Sequence, residues 1–130
     1  MTEELKIKTS SREEFVDITH EVSRVVQKSK VKSGVCHIFV PHTTAGVTIN
    51  ENADPSVRKD IIRKLNEIAP CNDGYEHTEG NSDSHIKASM MGFCQTVLVE
   101  EGALVLGTWQ GIYFCEFDGP RTRKVIIKIT

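Results

Sequence analysis

The chain has 130 residues and a mass of 14.5 kDa, which fits one compact domain over residues 1–130, and its 38% apolar fraction is enough for a core of ordinary size. Sixteen basic residues against 18 acidic ones leave a formal charge of -2, so no global positive field exists to draw in nucleic acid or an anionic membrane. No apolar run approaches the roughly 18 to 20 residues that span a bilayer, and Met1–Lys6 carries no signal-peptide core, so the expectation is a soluble cytoplasmic protein without a membrane partner.

Leu5 and Ile7 alternate with Lys6 and Lys8, the period of a strand with one wet face. Ser11 and Glu14 match a capping box, and Phe15, Ile18, Val22, Val25 and Val26 recur at helical spacing, predicting a helix with one buried stripe to about Ser29. Gly34 introduces the apolar run 35–40, a buried strand ending at Pro41, and 46–50 alternates Val47 and Ile49 with Thr48 and Asn50 as the next strand. Asp54 and Pro55 cap a second helix with the stripe Val57, Ile61, Leu65 and Ile68, stopped by Pro70. Residues 71–84 carry no periodicity and many turn formers, and irregular connections of that length tend to be functional.

Asp83 or Ser84 caps a short helix to Met91, ended by Gly92. Strands are predicted at 94–99, 103–108, 111–117 and 124–129, with turns at Glu101-Gly102 and Asp118-Gly119-Pro120. The expected class is α+β: six or seven mostly antiparallel strands in β-sandwich-like sheets, with two long helices and one short helix. Cys36, Cys71, Cys94 and Cys115 include no Cys-x-x-Cys pair, which argues against a cysteine zinc site; Cys36, Cys94 and Cys115 lie by apolar runs and read as reduced packing residues.

Chemistry-bearing side chains cluster in three stretches: His42 to Thr44 with Asn50 to Asn52; Tyr75 to His77 with Asp83, His85 and Lys87; and Trp109-Gln110 with Glu116 to Arg123. His42 stands at a strand end, where it is either a ligand or general base or a turn histidine bonding backbone. Together with His77 and His85 it could form a three-imidazole site for a zinc-like divalent metal, although the eight-residue spacing of His77 and His85 matches no zincin motif such as His-Glu-x-x-His. His37 reads as a core histidine and His20 as a solvated one.

Lys87 near a helix start, with Thr43, Thr44, Arg121 and Arg123, suits a phosphate, while an exposed basic strand face is the alternative for the arginines. Glu51 and Asp83 are candidate metal ligands, histidine orienters or general bases, and Glu116, on an apolar strand face, requires a partner such as Arg123. Trp109 is either a core aromatic or a wall for a flat ring whose edge Gln110 would bond.

The blocks His42-Thr-Thr-Ala-Gly-Val-Thr-Ile-Asn-Glu-Asn-Ala-Asp-Pro55, Tyr75-Glu-His77, Ser84-His-Ile-Lys-Ala-Ser-Met-Met-Gly92 and Gly107-Thr-Trp-Gln-Gly-Ile112 together resemble the YjbQ-like family, also called the secondary thiamine-phosphate synthase family. The resemblance spans essentially the whole chain. It implies a small α+β fold, a homotrimer with sites near subunit boundaries, and a weak synthase activity joining an aminopyrimidine pyrophosphate to a thiazole phosphate. It also implies a site of His42, Asn50, Glu51, His77, His85, Lys87, Trp109 and Gln110.

In that reaction Mg²⁺ would neutralise the leaving pyrophosphate, with His42, Glu51 and His85 as the catalytic groups. Thr43, Thr44, Asn50, Lys87, Trp109, Gln110, Arg121 and Arg123 would hold a phosphorylated small-molecule substrate. The rival expectations are a metal-dependent hydrolase of a phosphorylated or amide metabolite, in which His42, His77 and His85 ligate the ion, and a non-catalytic metabolite-binding module.

Overall fold

A computed structural model describes every residue from Met1 to Thr130. Eight strands and three helices follow one another as β1 (Thr2–Lys8), β2 (Glu14–Asp17), α1 (Thr19–Ser29), β3 (Gly34–Phe39), β4 (Ala45–Glu51), α2 (Pro55–Ile68), α3 (Ser82–Met91), β5 (Cys94–Glu100), β6 (Ala103–Leu104), β7 (Gln110–Glu116) and β8 (Thr122–Ile129). All strand pairs are antiparallel. One sheet runs β1-β8-β3-β5-β6 and a smaller one β2-β7-β4, so the class is α+β with two sheets, as the pattern predicts.

Two apolar clusters fix the layering. The larger joins Ile38, Val97, Val125 and Ile127 of the five-stranded sheet to Val22 and Val26 of α1 and to Val47, Ile112 and Phe114 of the small sheet. The smaller packs Phe15, Tyr113 and Cys115, on the opposite face of the small sheet, against Leu65 of α2 and Ala88 of α3. Strand β7 is therefore covered on both faces, which is why 111–117 reads as a continuous apolar run instead of an alternating one. Helix α3 lies so close to β4 that a Cβ added at Gly46 would sit 2.6 Å from the Gly92 carbonyl oxygen, a contact only glycine permits.

Several local expectations are corrected. The stretch expected to open the first helix is strand β2, which pairs Phe15 with Cys115 and Val16 with Phe114. The Ser11 and Glu14 capping box does not form; the Glu14 carboxylate instead accepts from Ser10 N and Oγ, both at 2.9 Å. The reason is tertiary: Phe15 fills the cluster beneath α2 and α3, whereas Val22, Val25 and Val26 fill the other one, so one straight helix cannot serve both.

At α3 neither Asp83 nor Ser84 caps, because the helix begins at Ser82 and both side chains turn inward. The strand expected at 103–108 shrinks to Ala103–Leu104. Cys36 and Cys115 are buried as expected, but Cys94 is exposed, and His37 is half-buried instead of core. His20 is exposed. Asp54 does cap α2, accepting from Ser56 N at 2.9 Å with Pro55 in the first turn. No helix is long and apolar enough to cross a membrane.

Candidate functional site

One end of the two-sheet stack carries a pocket of about 400 Å³ lined by Pro41, His42, Thr43, Thr44, Glu79, Asn81, His85, Asp118, Arg121 and Arg123, none of them hydrophobic. Three connections build it: the β3–β4 corner, the β7–β8 turn, and the irregular segment leading into α3. They are tied to one another by side chains. Ser84 Oγ donates to Phe117 O at 2.6 Å, and Asn81 Nδ2 donates to Asp118 Oδ2 at 2.8 Å, which clamps the start of α3 to the β7–β8 turn.

Beneath the pocket lies a buried ion pair. Glu116, fully buried, takes Arg123 Nε at 2.9 Å on Oε1 and the Arg123 Nη2 on Oε2, while Thr9 Oγ1 donates to Oε1 at 2.7 Å and the backbone N–H groups of Phe117 and Asp118 reach Oε2 at 3.1 Å. Burial alone would raise the Glu116 pKa, but the bonds from Arg123, Thr9 and Asp118 outweigh it and hold the carboxyl below its ordinary range. Arg123 Nη2 also donates to Thr44 Oγ1 at 2.8 Å. Glu116 thus finds the Arg123 partner that its apolar face demands, and Arg123 is the pocket's floor, with Nε and Nη2 occupied and Nη1 making no hydrogen bond within the chain.

His42 is half-buried on the wall, and its Nε2 accepts the Lys124 backbone N–H at 2.9 Å, which makes Nδ1 the protonated nitrogen of the neutral ring. Burial, then the nearby Arg123 charge, lower the His42 pKa, so the ring is neutral at pH 7. Arg121 spends Nε on Asp118 O at 2.9 Å and Nη2 on Asp118 Oδ2 at 3.2 Å, and half of its side chain stays exposed, with further N–H groups available. Both arginines are paired with carboxylates. The pocket's capacity for an oxyanion therefore comes from its convergent donors, His42, Thr43, Thr44, His85 and Arg121, and not from net positive charge.

The remaining candidates lie elsewhere. Asn50 Oδ1 accepts from Glu51 N at 2.7 Å and Glu51 Oε2 from Ala53 N at 3.0 Å, so both shape the entry to α2. They stand at the far end of β4, roughly 20 Å from Thr44 at the usual rise of a strand. Trp109 is neither a core aromatic nor a pocket wall: its indole is 62% exposed, and Gln110 Oε1 is used by Gly107 N at 2.8 Å to close the turn before β7.

Lys87 is fully buried, its Nζ donating to Asn66 Oδ1 at 2.6 Å, Asp83 Oδ2 at 2.8 Å and Glu13 Oε2 at 3.1 Å, so no N–H remains for a phosphate. Asp83 also receives Arg12 Nη2 at 3.0 Å. The Arg12, Glu13 and Asn66 members of this cluster and the Asn81 wall of the pocket escape sequence reasoning, since each acts through a partner distant along the chain. Only the short Asp118 to Arg121 turn carried a local signal.

The three imidazoles do not meet. His77 packs edge to face on His85, with ring centroids 5.4 Å apart, and its Nε2 lies 3.7 Å from Glu79 Oε2; His42 shares the polar pocket with His85 but not with His77, and its Nε2 is already engaged. No group of three or more His, Cys, Asp or Glu side chains is gathered for a metal. With Arg121 and Arg123 beside His42 as well, the residues present do not fit a resident divalent cation.

Together these features define a small two-sheet α+β domain with a polar, donor-rich pocket at one end. The family profile described as "UPF0047 protein YjbQ-like" matches residues 3–130, and the chain belongs to that family. It is 56% identical to UPF0047 protein MJ1081 of Methanocaldococcus jannaschii over 95% of this chain and 90% of that one, and 54% identical to UPF0047 protein YugU of Bacillus subtilis over 99% and 98%. A crystal structure of a YjbQ/UPF0047 family protein from Clostridium acetobutylicum superposes with a TM-score of 0.96 at 55% identity, covering 98% of each chain. A YbjQ-like protein of unknown function from Sulfolobus solfataricus superposes at 0.95 with 36% identity, covering 99% of this chain and 95% of that one.

These relatives overturn the expected thiamine-phosphate synthase activity. They are named as UPF0047 proteins or described as uncharacterised, and none supports that reaction. Of the residues assigned to the ring and the phosphate, Trp109, Gln110 and Lys87 are absent from the pocket lining, whereas Thr43, Thr44, Arg121 and Arg123 belong to it.

Proposed function

We propose that the His42–Arg121 pocket binds the phosphate group of a small metabolite. The observation that carries this is the lining itself: ten residues, none hydrophobic, with imidazole, hydroxyl and guanidinium donors facing a space of about 400 Å³. Such a surface binds little by apolar burial, and an oxyanion is the ligand group that uses many donors at once. Neutral His42, whose Nε2 is taken by the Lys124 N–H, can offer its Nδ1–H to that group as a hydrogen-bond donor.

Calorimetric titration with inorganic phosphate, checked by phosphorus NMR, is expected to show saturable binding. Arg121→Ala and His42→Ala should each weaken it by roughly tenfold with unchanged melting curves. Absence of saturable binding in the wild-type protein would sink the proposal.

Self-association into the homotrimer implied by the family resemblance is part of the same proposal. What supports it is the outer face of the five-stranded sheet, where Phe39 (44% exposed), Leu98 (57%) and Val105 (51%) stand near half-buried Ile126 and Val35. Phe39 pairs with Ile126 and Cys94, and Leu98 with Val35, so the patch is continuous across strands. Sedimentation velocity should give a trimer for the wild type and a monomer for Leu98→Asp; a wild-type monomer at micromolar concentration would contradict this.

A further inference from the structure

His85 belongs to two adjoining cavities of unlike chemistry. One is the polar pocket. The other is a hollow of about 440 Å³ lined by Tyr75, Glu76, His77, Ser82, His85 and Ile86. Its walls are ordered by local contacts: the Tyr75 hydroxyl donates to Pro70 O at 2.6 Å, and the His77 and His85 rings meet edge to face at 86°. Ile86 is 39% exposed and Met90, a turn further along α3, 47%, and a shallower depression runs on past His85, Ile86, Ser89 and Met90. Apolar and aromatic surface thus continues directly from a pocket that no hydrophobic residue lines.

We propose that the ligand of the polar pocket carries, bonded to its anionic group, an uncharged flat aromatic body that lies in the Tyr75–His77–Ile86 hollow with His85 at the junction, which presupposes that the pocket itself takes an anion. Inorganic phosphate alone would leave Tyr75, His77 and Ile86 uncovered, whereas an aromatic ring can pack on the two aromatic side chains by offset or edge contacts and cover Ile86. Charge selects against a second anion there, because Glu76 lines the hollow and Glu79 approaches His77 from the rim. The two cavities together thus favour an aryl or arylalkyl phosphate over an inorganic or doubly phosphorylated ligand.

Titrations of wild type and Ile86→Ser with inorganic phosphate and with phenyl phosphate test this. Ile86 is exposed, so the substitution leaves the core untouched, and it adds no charge to repel the anion. Phenyl phosphate is expected to bind about tenfold more tightly than inorganic phosphate, and Ile86→Ser should remove most of that advantage while leaving the inorganic phosphate affinity alone. Equal affinities for the two probes, with Ile86→Ser silent, would overturn the aromatic extension and leave the anion site standing. If neither probe binds, both proposals fall together.

Discussion

Lys87→Ala is expected to destabilise the protein by about 3 kcal/mol, because it removes the cation between Asp83 and Glu13 and leaves the Asp83 carboxylate, in a space with no solvent access, with Arg12 as its one remaining cation. The measurement is urea unfolding at pH 7. A shift of the midpoint with little change in slope is the expected result, accompanied by a melting temperature lower by roughly 10 °C or more. A loss below about 1 kcal/mol would show that the cluster is screened in solution and contributes as a surface pair does. Lys87→Met with Asp83→Asn, which removes both charges at similar volume, should recover part of the loss.

Acid sharpens this test. Burial pushes the Asp83 pKa upward, but the bonds from Arg12 and Lys87 outweigh it and hold the carboxyl below its ordinary range. A carboxyl whose folded-state pKa lies below its unfolded one stabilises fully above the unfolded value near pH 4, and the contribution disappears as pH falls through the folded value. Glu116 has the same sign. The wild type should therefore lose stability steeply below about pH 4, and Lys87→Ala should show a flatter acid limb. An identical acid limb in both proteins would contradict the pairing.

Arg123→Ala is the second large effect. It strips Glu116 of its cation in a fully buried site and frees Thr44 Oγ1, so a cost of about 3–5 kcal/mol is expected in the same unfolding assay. The floor of the pocket goes with it, and phosphate binding should disappear even at temperatures where the variant remains folded. Arg123→Lys separates charge from shape: the ammonium neutralises Glu116 but cannot hold the two-pronged geometry that also reaches Thr44. It should keep most of the stability and lose most of the binding. If Arg123→Ala bound phosphate as the wild type does, the buried pair would have no part in shaping the site.

The difference between these two side chains and the pocket's walls shows how far local pattern reaches. His42, Thr43, Thr44, His85, Arg121 and Arg123 were all singled out from residue type and position at element ends, and all six line one cavity. Lys87 was singled out by the same logic and lies in the core, because what decides its role is Asp83, one helical turn back on α3, together with Glu13 and Asn66 on other segments. Trp109, expected as a core aromatic or a ring-stacking wall, is an exposed residue on the turn before β7.

By itself the sequence determined the α+β class, the cap of α2, most strands and the position of the irregular segment before α3; of the α2 stripe only Leu65 is buried, and Ile68 is 57% exposed. Periodicity, caps and turn residues act within a few positions of one another, so they can be read along the chain. Tertiary structure alone decided that residues 14–17 form an edge strand, that Lys87 is buried, and that His77 packs on His85 while His85 and His42 share the polar pocket. Those outcomes depend on contacts between groups such as Arg12 and Asp83, 71 residues apart, and on which of two cores a side chain enters. Burial and pairing of that kind come from how the segments pack, for which no short stretch of the chain carries the instruction.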